Sequence, residues 1–154
     1  MKFKLIFFFC FFCLLCKAQQ KPYPTKRLAV EWLANFKKIE SIEDKIESVI
    51  SKIYFDTLYK KIDFILLDGN PEDSNYKCKT LIFVSAFGKY YKIDLVENPK
   101  LNSIIKMLNM DTVNEVKVLE SPENVIYFGT DGLCGVVIME TKNKKLVRKI
   151  KNIL

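Results

Sequence analysis

The sequence predicts an α+β domain, a small mixed β-sheet with helices packed on one face. Three observations lead there. Apolar residues recur at helical spacing over residues 25–56 and again over 98–108. Short runs rich in β-branched and aromatic residues, at 62–67, 81–84, 91–95, 113–119 and 136–139, are bounded by Gly, Pro, Asn or Asp. The resulting order of helical segment, strand, hairpin, helix, strand, turn and strand suits helices laid against a sheet.

Residues 1–18 read as a secretory signal. Lys2 and Lys4 precede an apolar run from Leu5 to Leu15, too short for a permanent membrane span, and Ala18 offers a small residue at the cut. The alternative is a lipoprotein signal with Cys16 acylated. Residues 19–60 hold a polar linker and then an amphipathic helical segment. Thr25 is placed to cap it, and Leu28, Trp32, Phe36 and Ile39 form its first stripe. Ser41-Ile42-Glu43-Asp44 resembles a capping box, so the segment is one long helix or two joined near Glu40. The second stripe is Ile42, Ile46, Val49, Ile50 and Ile53. Such a face packs onto the domain's own sheet or docks a partner helix, and the former is the expectation.

Ile62–Leu67 reads as a buried strand ending in an Asp68-Gly69-Asn70-Pro71 turn. The nearby Glu72 and Asp73 lack the alternating spacing of a calcium loop. Leu81–Val84 and Tyr91–Leu95 form a hairpin around Gly88, with Tyr90 and Tyr91 packing across strands. Asn98-Pro99 starts a helix carrying Leu101, Ile104, Ile105 and Leu108. Val113, Val116, Val118 and Leu119 open a strand that Ser121-Pro122-Glu123-Asn124 stops. Gly129, Gly132 and Gly135 then punctuate a turn leading into the strand Val136–Met139. Residues 143–154 form a basic tail. It is expected to be solvated and frayed, with Leu146, Ile150 and Ile153 on one side should it become helical against an anionic membrane surface.

The chain has 154 residues and no histidine, which removes Ser-His and Cys-His nucleophile pairs and histidine metal sites. Its formal charge is +7, and removal of Lys2, Lys4 and Lys17 with the leader leaves +4, too dispersed to indicate nucleic-acid binding. The glycines at 129–135 feed a strand rather than a helix N-terminus, which argues against a phosphate loop. Cys78 and Cys134 remain after the leader; they form either a disulfide, worth on the order of 4 kcal/mol in the chain-entropy model, or two buried thiols.

One stretch resembles a known family. Val116, Val118, Leu119, Pro122, Phe128, Gly129, Gly132, Gly135, Val136, Ile138, Thr141 and Lys142 follow the pattern that ends the plug domain of TonB-dependent outer-membrane receptors. Upstream, Phe64–Gly69 resembles the plug's strand ending in Asp-Gly, and the two elements occur in the family's order. The resemblance covers roughly residues 61–142. Phe128 stands where the family prefers tyrosine, and a Tyr/Phe/Lys-rich insert separates the two elements. Twelve residues follow Lys142, which leaves no room for a receptor's β-barrel.

The resemblance implies a stand-alone plug-like module over 61–142. It would be exported to the periplasm or the outer-membrane periphery and would bind an envelope or outer-membrane protein, without catalysis, metal or cofactor. The family's motif loops place binding at Asp68, Gly69, Phe128, Gly129, Asp131, Gly132 and Gly135. Alternatives are a periplasmic enzyme inhibitor, a small envelope enzyme, or a remnant of a receptor lacking its barrel.

Overall fold

Serine, asparagine and proline set the starts of several elements. In the computed structural model, which describes residues 22–61 and 69–154, the helical segment is two helices, α1 (Lys26–Phe36) and α2 (Ile42–Asp56). The break falls where Ser41 turns extended and its hydroxyl accepts the Asp44 N–H at 3.3 Å. Replacing Ser41 by alanine is expected to cost about 1 kcal/mol, read as a lower urea midpoint with an unchanged slope. Thr25 makes no such side-chain cap. The buried line of α1 is Ala29, Leu33 and Phe36 rather than the Leu28–Trp32–Phe36 stripe. Trp32 instead lies at the flank, stacked on Phe36 with ring centroids 4.9 Å apart.

Four strands form one mixed sheet in the order β2-β1-β4-β3. They are β1 (Leu81–Ala86), β2 (Lys89–Lys92), β3 (Glu115–Leu119) and β4 (Val136–Glu140). The central pair, β1 and β4, is parallel, with Leu81 opposite Val136 and Ser85 opposite Glu140. Both flanking pairs are antiparallel. The expected α+β class with a small mixed sheet is therefore present.

The second hairpin strand is shifted from 91–95 to Lys89–Lys92. Phe87 (φ 51°) and Gly88 (φ 74°) make a two-residue turn with both residues left-handed, and that turn fixes Ala86 opposite Lys89. Asp94 then takes the chain out of the ladder by accepting the Val96 N–H. Asn98 caps as expected, but the helix is short: a 3₁₀ turn (Pro99–Leu101) runs into α3 (Asn102–Ile105). Asn109 and Thr112 cross-bond and close the segment, leaving Val113 buried ahead of β3 rather than inside it.

Two readings need correction. Residues 123–134, expected as loop and turn, form α4 (Glu123–Phe128) and a 3₁₀ segment (Gly129–Cys134). Pro122 cannot extend β3, and its carbonyl instead accepts the Val125 and Ile126 N–H groups. The basic tail is a helix, α5 (Lys144–Lys151), not a frayed terminus. Asn143 caps it by accepting the Leu146 N–H at 3.0 Å, and Leu146, Val147 and Ile150 are buried. Its apolar side is thus used within the domain, leaving Lys144, Lys145, Arg148 and Lys149 outward.

Strand alternation gives two cores. Ile82, Val84, Val137 and Met139 pack with Leu33 and Phe36 of α1, Ile46, Val49 and Ile53 of α2, Ile104 and Ile105 of α3, and Leu146 and Ile150 of α5. The described parts of 19–60, 61–142 and 143–154 therefore share one core. On the opposite face Leu81, Phe83, Val136 and Ile138 meet Phe128 and Leu119. The main helical layer is on one face as expected, and α4 supplies cover for the other. The leader expected at 1–18 with Cys16, the strand expected at Ile62–Leu67, and Asp68 lie outside the described residues.

Candidate functional site

The stretch from Val116 to Lys142, which holds the glycine motif, forms one local unit. β3 ends at Leu119, α4 crosses over, the 3₁₀ segment returns, and β4 pairs antiparallel with β3, Val116 opposite Met139 and Leu119 opposite Val136. Buried Asn124 ties the unit together: its side-chain amide donates to the Gly132 carbonyl at 2.9 Å, and its Oδ1 accepts the Val125 N–H.

The glycines differ in what they do. A Cβ at Gly132 would lie 2.2 Å from the Asn124 carbonyl oxygen, so that position admits no side chain without separating α4 from the return segment. Gly135 has φ 84°, and a Cβ there would lie 2.3 Å from Cδ1 of Leu33. Both glycines are buried and sit where the chain packs closely. Gly69 is exposed beside the ring of Tyr76. Gly129 and Asp131 are exposed on the loop.

Phe128 is stacked on Phe83, with centroids 4.7 Å apart, and Tyr90 meets it edge-on at 5.9 Å. This aromatic trio pins α4 to the sheet. The two residues before Phe128 do the opposite: Ile126 is 70% exposed and Tyr127 71%. Tyr90 is itself more than half exposed. The motif loop thus has a packed side and an apolar side open to solvent.

Cys78 and Cys134 are joined in the structure, with Cα atoms 6.0 Å apart. The Thr80 hydroxyl donates to the Cys134 carbonyl at 3.2 Å beside them.

A buried charge network escaped the sequence reading. Lys52 and Asp56, both 7% exposed, form an ion pair on α2, and Lys52 Nζ lies 5.7 Å from the Trp32 ring centroid. Burial, the largest influence, raises the Asp56 carboxyl above its ordinary 3.8, and the charge of Lys52 opposes it. Lys79 pairs with buried Asp94, and both charges act on Asp56. The Tyr59 phenol is also raised, by burial first and then by Asp56. The clue was present: Val49, Lys52, Ile53 and Asp56 follow i, i+3, i+4, i+7, which places two charges in an apolar stripe.

Among the described residues no three His, Cys, Asp or Glu side chains are grouped to hold a metal ion, and no helix is long and apolar enough to cross a membrane. No family model matches the chain, and no curated protein or solved structure matches it.

Proposed function

We propose that the protein is an exported, non-catalytic binding module, resembling the plug domain of TonB-dependent receptors and associated with outer-membrane uptake or another envelope partner. The observation that carries this reading is the open apolar side of α4. A short surface helix gains nothing by holding Ile126 and Tyr127 in water, and contiguous exposed apolar groups mark interaction sites. They lie inside the stretch that resembles the family's motif loop, supported from behind by the Phe83–Phe128–Tyr90 packing. Support on rigid elements is what a recognition surface needs.

The test is photo-crosslinking in the native host with a benzoyl-phenylalanine probe at position 127. The expected result is a leader-processed protein in the envelope fraction, crosslinked to a single envelope protein. Ile126→Glu should remove the adduct while leaving the melting temperature within a few degrees. An unprocessed protein in the cytosol, or no adduct from a folded probe variant, would overturn the proposal.

A further inference from the structure

Lysines gather around one open cleft beside the 3₁₀ segment that follows α4. Lys61, Lys77, Lys79 and Lys92 line it, together with Glu97 and Asp131. Lys79 and Lys92 are held in place by Asp94 from beneath, and Lys92 also pairs with Glu97 at 2.7 Å. Among the described residues, Lys61 and Lys77 form no ion pair. Lys77 Nζ instead lies 4.7 Å from the ring centroid of Tyr23, and Lys60 approaches the same ring at 5.6 Å. Among the described residues, four ammonium groups thus line the cleft, with Glu97 and Asp131 beside them and Asp94 beneath. Such a concentration leaves a local positive field inside a concave, partly apolar site backed by Tyr76, Cys78 and Leu81.

We propose that this cleft binds a small polyanion, recognised through clustered phosphate or carboxylate oxygens. The lysines differ in their roles. Lys79 and Lys92 are fixed by their acidic partners and set the floor, while Lys61 and Lys77 have ammonium hydrogens to donate to the incoming anion. Asp131 lies on the same wall without an ion-pair partner among the described residues and opposes an anion there, limiting affinity. This inference stands apart from the α4 binding reading and survives its failure.

The test is isothermal titration of the processed protein with sodium pyrophosphate and, separately, sodium citrate, at constant ionic strength. The expected result is saturable binding of at least one, with Kd about 1 mM or tighter. Lys77→Gln and Lys61→Gln should each weaken it about fivefold, the worth of one partly screened charge. Asp131→Asn should tighten it by a similar factor. Pyrophosphate alone binding would assign phosphate chemistry, citrate alone would assign polycarboxylates, and both would assign recognition by charge. All three positions are at or near the surface, and unchanged melting curves will show that the variants fold. Absence of saturable binding to either anion overturns the proposal. So does binding that Lys77→Gln and Asp131→Asn both leave unchanged.

Discussion

Gly132→Val should leave the protein largely unfolded at room temperature, or lower its stability by more than about 3 kcal/mol. The reason is what the new Cβ meets. At 2.2 Å it would overlap a backbone carbonyl oxygen, that of Asn124, and a peptide group cannot rotate aside as a side chain can. Relief requires α4 to move off the 3₁₀ segment, which breaks the Asn124–Gly132 hydrogen bond and strips Phe128 from Phe83. A domain of this size has only about 5–15 kcal/mol to lose. The comparison is Gly88→Asn. Gly88 is left-handed with nothing within 4 Å of a Cβ, and asparagine tolerates that conformation, so this variant should melt close to the parent. Circular dichroism on both variants decides the matter. A Gly132→Val protein that melts with the parent would show that the crossover is not packed as described.

The second large effect is expected at Asp56. Asp56→Ala leaves the Lys52 ammonium buried without its partner, at a cost on the order of 3–5 kcal/mol. The pair itself is a different quantity. Both charges were taken out of water, so Lys52→Met combined with Asp56→Leu should be near the parent or more stable. Urea unfolding of the three proteins separates these outcomes, and a double variant as weak as the single one would sink the argument. The pH dependence follows from the direction of the shift. An acid whose folded pKa is raised binds its proton more tightly when folded. Asp56 therefore contributes most to stability below its ordinary 3.8, and that contribution is lost as pH rises through its higher folded value. Asp56→Asn should remove this slope, so the parent's stability relative to the variant should fall as pH rises from below 3.8 through the raised folded value.

Patterns that depend on local spacing were legible in the sequence. The Ser41 cap, the Asn98 cap, the hairpin turn at Gly88 and the strand Val136–Met139 all rest on residues within a few positions of one another. The crossover was not legible, because Glu123–Phe128 has six residues, too few to show a period. Nor was α5, whose Lys-rich composition resembles a solvated tail, while Leu146 and Ile150 fit a core that exists only once the sheet has formed. The motif glycines were legible as backbone constraints, and Gly132 and Gly135 are positioned that way. The lysine cleft was not, because Lys61, Lys77, Lys79 and Lys92 are brought together by the fold rather than by spacing.

The two cysteines sit just ahead of the central strands, Cys78 three residues before Leu81 and Cys134 two before Val136. β1 and β4 are far apart in the chain, and parallel strands at that separation find each other slowly. Their alignment also has little tolerance. A slip of one residue would turn Ile82 and Val84 away from the helical layer and put Leu81 and Phe83 in their place. A covalent link at the entrance of both strands, once formed, narrows that search. The same link makes the choice of register an event coupled to thiol oxidation, so that a chain folding in a reducing medium must align its sheet without a guide.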